Sequence, residues 1–323
     1  EDLGYVYAYL KSEYGNNILK TNSYGSVITH IEPEHLKEML IPDAPFIIKK
    51  KIHDLIMDSY ANRDESNRLI DEATKIMIEE LELPPIDDLK KEAFSYSREI
   101  NSFSTKLSDL DGRLEGSYHI PLIKVIERYI SKKAIVKNLN SEDITEKIIL
   151  PGRFKRIYVE KGNGKVFLGG KEINQLDPEN KKYLSLAHHS DRIKKELNIV
   201  KDMVLVTCSG TIGKVALVPE HWNNWTLNQH VMRIVSKEQY YALIFTWLNS
   251  EYGKELIRRQ TYGSVVNEIT DKQLGTVVIP VFKKDTINNS IISLINKANE
   301  LRYKAYKQEQ QAIEIMNREV LGL

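Results

Sequence analysis

A single cysteine, Cys208, rules out an internal disulfide and a cysteine-cluster zinc site, and it points to a reducing compartment, the cytoplasm. No apolar run approaches the ~20 residues of a membrane span, and no signal peptide opens the chain. An initiator Met is missing as well, so the sequence reads as a processed chain or a fragment. Neither sign of charge dominates. Lys and Arg number 46 against 45 Asp and Glu, a formal net charge of +1. That balance neither demands nor excludes nucleic acid; a DNA binder of this composition must gather its cations on one face. The 41% hydrophobic and 28% charged fractions suit an ordinary folded protein, and 323 residues allow two domains or one large one.

Signatures of catalysis are missing too. Ser209-Gly210-Thr211-Ile212-Gly213-Lys214 is too short for a phosphate-binding loop, and Val215 stands where a hydroxyl would meet Mg²⁺. It reads as a hairpin turn. Gly162-Asn163-Gly164 is a turn between strands, not a dinucleotide fingerprint. His188-His189 has no His or Cys at ligand spacing and reads as a polar surface loop. Asp177 with Glu179-Asn180-Lys181 is a weak nuclease pattern without a second strand. No N-P-P-[YF] tetrapeptide and no nucleophile elbow occur. A non-enzyme with neither cofactor nor metal is the expectation.

What the sequence does contain is a long echo. Ser12-Glu13-Tyr14-Gly15 returns as Ser250-Glu251-Tyr252-Gly253, and Tyr24-Gly25-Ser26-Val27 as Tyr262-Gly263-Ser264-Val265, both displaced by 238 positions (250 minus 12). Ile31, Leu36, Ile41 and Pro42 fall on Ile269, Leu274, Ile279 and Pro280. About a dozen identities in roughly thirty positions mark a duplication. Each copy reads as an amphipathic helix (5–20; 241–258), a Gly-Ser turn, a short strand ending in Ile-Pro, and a long helix. Gly15 and Gly253 suit close packing or a helix end, and Gly25 and Gly263 a special backbone angle.

The long helices follow a heptad grid. Ile52, Ser59, Ser66, Ala73 and Glu80 answer Ile291, Ala298, Ala305, Ala312 and Glu319, with a polar middle at Asn62 and Ser66. Neither segment contains Pro or Gly, so each can run about 35 residues, or roughly 50 Å. The first stops at Leu83-Pro84-Pro85. Pairing them with each other is the simplest arrangement, parallel or antiparallel, because isolated helices gain their stability from a packed face. Residues 86–140 lean helical; from Ile148 to Val235 short apolar strands dominate. The fold class expected is α+β: sheet-rich units joined by two long helices forming a coiled coil. The first copy lacks a matching sheet-rich unit ahead of it.

The runs LVTCSGTIGKVALVP (205–219) and LNQHVMRI (227–234), then Tyr262-Gly263-Ser264-Val265 through Ile279-Pro280 into a long helix, resemble the specificity subunit of Type I restriction-modification enzymes. The likeness spans nearly the whole chain and is weakest over 86–150. It implies two target-recognition domains, each reading half of a split DNA site, and two spacer helices that dock methyltransferase (modification) subunits. On that pattern, 1–45 is the C-terminal part of a truncated first recognition domain. Residues 46–85 form the first spacer helix, 86–282 the second recognition domain and 283–323 the second spacer helix. Two departures stand out: the truncation, and helix entrances without the usual Pro-Leu and Glu-Gln residues.

The DNA contacts expected from residue type and loop position are Arg153, Lys155 and Arg156; Lys161 and Lys165; Ser209, Thr211 and Lys214; Asn228 and Gln229; and Tyr262 and Ser264. Lys20, Tyr24 and Ser26 correspond in the first copy. The expected partners are double-stranded DNA and methyltransferase subunits, with a restriction subunit as a further one, and no membrane. Two other readings stay open: the DNA-recognition region of a larger single-chain restriction-methyltransferase, and a protein–protein scaffold whose coiled coil is the working part.

Overall fold

The structure, a computed structural model, describes residues 2–21, 30–37, 39–97, 100–263 and 266–323. Helices α1 (Asp2–Lys11), α2 (Glu13–Thr21), α3 (Pro33–Lys37) and the long α4 (Phe46–Glu80) come first. Helix α5 (Ile86–Ala93) and a small hairpin, β1 (Ser95–Ser97) with β2 (Ile100–Ser102), follow. Next come α6 (Leu122–Lys133), β3 (Ile135–Asn138), β4 (Thr145–Ile149), β5 (Tyr158–Val159), β6 (Gly164–Leu168), β7 (Lys182–Ser185) and α7 (Leu186–Arg192). Then β8 (Val204–Thr207), β9 (Val215–Leu217), β10 (Thr226–Leu227) and β11 (Val231–Ser236) lead to α8 (Tyr241–Asn249) and α9 (Glu251–Arg259). The chain continues through α10 (Asp271–Gly275), β12 (Val278–Val281) and the long α11 (Asp285–Ile315). Helix and sheet are mixed along the chain, as the α+β expectation requires. Among the described residues no helix is long and apolar enough to cross a membrane.

Contacts divide the chain into two units, Glu1–Asn67 with Glu300–Leu323, and Arg68–Asn299. In the first, Tyr5, Ala8 and Tyr9 of α1 share a core with Ile52 and Ile56 of α4 and with Ala312, Ile315 and Met316. The long helices run antiparallel there: Lys51 pairs with Glu319, and the Ser59 hydroxyl donates to the Ala305 carbonyl at 2.8 Å. A side chain reaching the opposite backbone requires closely approaching helices, which the small seam residues Ser59, Ala305 and Ala312 permit; all three are buried. Asn62 Nδ2 donates to Gln308 Oε1 at 2.7 Å, so the polar middle is satisfied across the seam.

The second unit buries most of the apolar residues. Ala73 and Met77 of α4 pack in one core with Ile291 and Ile295 of α11. Its main sheet has the order β4-β11-β8-β9, antiparallel throughout. The central strand β8 is buried at every residue, which accounts for its uninterrupted Val204-Leu205-Val206 run. A second sheet, β10-β6-β7-β5, lies beside it in the chain, and β12 pairs antiparallel with β3. Helix α6 turns Leu122, Ile126 and Ile130 inward at a spacing of four residues, the stripe that fixes its packed face.

Four expectations are corrected. The amphipathic helix of each copy is two helices, broken at Ser12 and at Ser250. Ser250 Oγ donates to Trp247 O at 2.6 Å and accepts from Gly253 N at 3.1 Å; Ser12, Tyr9 and Gly15 repeat both distances. The serine caps the second helix, and a Cβ on Gly15 or Gly253 would stand 2.0 or 2.1 Å from a carbonyl oxygen of the helix before it. Second, the Ile-Pro strand forms only in the later copy, where β3 supplies a partner; residues 39–45 are irregular. Third, Gly162 (φ +100°) does turn the chain, but β5 and β6 each pair with β7 instead of each other. Fourth, His188 and His189 lie in α7, where His189 Nε2 accepts from the Ile157 backbone.

Candidate nucleic-acid interface

The turn after β8 is built by its own hydroxyl. Thr207 Oγ1 donates to Thr211 O at 2.6 Å and accepts from Lys214 N at 2.9 Å, while Thr207 N donates to Lys214 O at 3.0 Å. Gly210 and Gly213 take φ of +73° and +82°, which closes the hairpin between β8 and β9 and leaves Thr211 exposed. The segment 267–269 lies along the start of this turn: Gly210 N donates to Asn267 O at 3.1 Å and Ile269 N to Cys208 O at 3.0 Å. That brings Ser209 opposite Glu268. Burial pushes the Cys208 thiol up to about 12, so it is a packing residue and not a nucleophile.

Residues 227–231 form the other wall, and their shape rests on Arg233. This guanidinium is fully buried in β11 and faces main-chain carbonyls. It donates to Asn228 O at 3.0 Å and Leu197 O at 3.2 Å, and also to the carbonyls of Val231 and Leu227. Burial holds it down to about 9, against the opposing pull of Cys208 and Glu196. The loop so fixed presents Asn228, Gln229 and His230. Arg156 Nη2 donates to Gln229 Oε1 at 2.7 Å; an arginine only donates, so the Gln229 amide nitrogen faces His230 Nε2, 2.9 Å away. The proton of the imidazole then sits on Nδ1. Burial lowers the His230 pKa, and the nearby charges of Arg156 and Arg153 lower it further, against Glu268, so the ring is neutral at neutral pH.

Two adjoining cavities result. One, of about 420 Å³, is lined by Gly169, Lys171, Thr207, Thr211, Lys214 and Asn228 among others. The other, of about 250 Å³, is lined by Arg153, Gln229, Tyr262 and Glu268 among others. Ser209 and His230 belong to both. Of the residues expected from the sequence, Arg153, Ser209, Thr211, Lys214, Asn228, Gln229 and Tyr262 therefore meet in one concave strip, with Arg156 bonded to Gln229. Lys155 is exposed in the same loop as Arg153. Lys161 and Lys165 are not in the strip: Lys161 is exposed at the turn before β6, and Lys165 Nζ donates to Asn198 Oδ1 at 3.3 Å. Lys20 is on α2 in the other unit, and Tyr24, Ser26 and Ser264 lie outside the described residues.

Sequence reasoning passed over His230, Glu268 and Arg233. Glu268 had a signal: it replaces His30 inside an otherwise repeated segment, a departure where the duplication is strongest. His230 directly follows two nominated residues. Arg233 reads as an ordinary strand cation, and only its surroundings reveal its work. Among the described residues no group of His, Cys, Asp or Glu is placed to hold a metal.

Among curated proteins none matches this sequence. Among solved structures the chain is similar to the S subunit of the Type-I restriction-modification system from M. genitalium. Identity there is 14%, with 98% of this chain and 71% of that chain covered, at a TM-score of 0.41. The HsdS subunit from Thermoanaerobacter tengcongensis is also similar, at 14% identity, 98% and 69% coverage and a TM-score of 0.38. The family model that matches is the Type I restriction modification DNA specificity domain, over residues 159–314. That span contains both long walls of the strip, the β8–β9 turn and the 227–231 loop, and over it the chain is similar to the Type I restriction modification DNA specificity domain.

Proposed function

We propose that the chain is the non-catalytic DNA-reading subunit of a Type I restriction-modification complex, with residues 86–282 as its second recognition domain. The convergence of Arg153, Arg156, Ser209, Thr211, Lys214, Asn228 and Gln229 on one strip carries this reading. Lys and Arg at its rim hold phosphates, and the amides and hydroxyls between them face base edges. Residues 1–45 are the tail of a further recognition domain. The spacer segments 46–85 and 283–323, built on the two long helices, dock methyltransferase subunits and set the separation of two half-sites, in the cytoplasm. The modification subunit supplies the chemistry.

Band shifts of the chain with its methyltransferase subunits test this. A selected duplex is expected to bind at least tenfold more tightly than random duplex, within the usual ratio of specific to non-specific binding. Equal affinity for both would overturn the reading. Lys155→Ala is expected to weaken binding to every duplex alike and to flatten the salt dependence by about 0.9 in log–log slope, the loss of one phosphate contact.

A further inference from the structure

Glu268 is an anomaly on the proposed DNA-binding strip. A carboxylate amid Arg153, Arg156 and Lys214 weakens the attraction for phosphates that those cations supply. Its position is nevertheless held firmly. Glu268 N donates to Tyr262 O at 2.9 Å and Tyr262 N to Glu268 O at 3.0 Å, closing a loop through Gly263. Gly263 takes φ +106°, and a Cβ there would stand 2.3 Å from Val266 O, so that position is reserved for glycine. On the other side Glu268 faces Ser209 across a bridge. All of these contacts are made by the main chain, and the side chain is left to line the smaller cavity.

Among the described residues the one side-chain partner of this carboxylate is Arg153, at 3.3 Å. Arg153 is 80% exposed and Glu268 33%, so the pair is a weak surface bridge that a ligand can displace. Its neighbours are less available. The Gln229 carbonyl oxygen is taken by Arg156, and the Asn228 carbonyl oxygen accepts from His230 N at 2.9 Å. Glu268 is therefore the carboxylate of the smaller cavity, and it has acceptor capacity to spare. The groove-edge group matched to a carboxylate acceptor is the exocyclic amine of cytosine. A phosphate is repelled by it, guanine and thymine present carbonyl oxygens there, and adenine sets its N7 acceptor beside its N6 amine, an edge that suits an Asn or Gln amide and not a carboxylate.

We propose that Glu268 is a specificity-determining residue that accepts a hydrogen bond from the N4 amine of one cytosine in the target; this rests on the DNA-reading function above. The experiment selects duplexes from a random pool with the full chain and its methyltransferase subunits, as wild type, Glu268→Gln and Arg153→Ala. Wild type is expected to require cytosine at a position where Glu268→Gln no longer does, with affinity for the cytosine duplex falling about tenfold, within the range for one base contact. Arg153→Ala is expected to weaken all duplexes alike and keep the consensus. A probe with N4-methylcytosine at that position tests the contact without altering the protein: it should weaken wild type and leave Glu268→Gln unmoved. An unchanged consensus for Glu268→Gln, or tighter binding of that variant to every duplex alike, overturns the proposal. A wild type that selects nothing overturns the DNA reading itself.

Discussion

In the first copy of the repeat Ile31, Leu36 and Ile41 are 41%, 47% and 44% exposed; in the second, Ile269, Leu274 and Ile279 are 2%, 0% and 1% exposed. The two copies are alike in sequence and their surroundings are not. The second copy has β3 along β12 and the β8 end along residue 269. No such strand accompanies the first among the described residues. What survives in both is local. Tyr9 OH donates to Leu40 O at 3.0 Å, and Trp247, at the matching position, donates from Nε1 to Val278 O at 2.7 Å. The backbone of Glu32 donates to His35 Nδ1 at 3.1 Å, and that of Thr270 to Gln273 Oε1 at 2.8 Å. Each pair performs one task with different chemistry. The duplicated segment thus specifies its own turns and caps, and a separate sheet decides whether its apolar face is buried.

The largest expected effect lies in the faces that differ. Leu274→Ala should destabilise the second unit by about 2–5 kcal/mol, whereas Leu36→Ala should stay within about 0.5 kcal/mol. Urea unfolding followed by circular dichroism measures both, and equal losses would erase the contrast. Gly15→Ala and Gly253→Ala probe what the copies share. Each forces a methyl against a backbone carbonyl, and each should cost about 1–3 kcal/mol or more, whatever covers the outer face. A tolerated Gly15→Ala would mean that the helix break is not common to both. The smallest effect is expected from Tyr9→Phe, which gives up one hydrogen bond to an exposed residue: about 0.5–1.5 kcal/mol in the same assay.

The same contrast shows what can be read from residues alone. The heptad grid is visible because bulk and smallness recur every seven positions, and Ile52, Ser59, Ser66 and Ala73 are all buried. Helix direction is invisible, since such a seam suits either sense; Ser59 meeting Ala305 decides it. The breaks at Ser12 and Ser250 hide inside an unbroken amphipathic pattern, yet Ser followed three residues later by Gly was their trace. Ile41-Pro42 and Ile279-Pro280 look alike, and only a remote strand, 135–138, makes one of them β. The strip was legible as loops carrying amides, hydroxyls and cations. Arg233 was not, because its role depends on carbonyls brought to it by the fold.

The buried seam has one more consequence. Ile52 shares its core with Ala312, Ile315 and Met316, and Ile291 shares its own with Ala73 and Met77, so the seam positions of both helices are buried. An insertion that is not a multiple of seven residues rotates the seam beyond it off the buried face and exposes the apolar residues that follow. The pair therefore behaves like a ratchet whose teeth stand one heptad apart. Insertions that lengthen it while keeping the seam come in whole repeats of seven, about 10 Å of rise at a time.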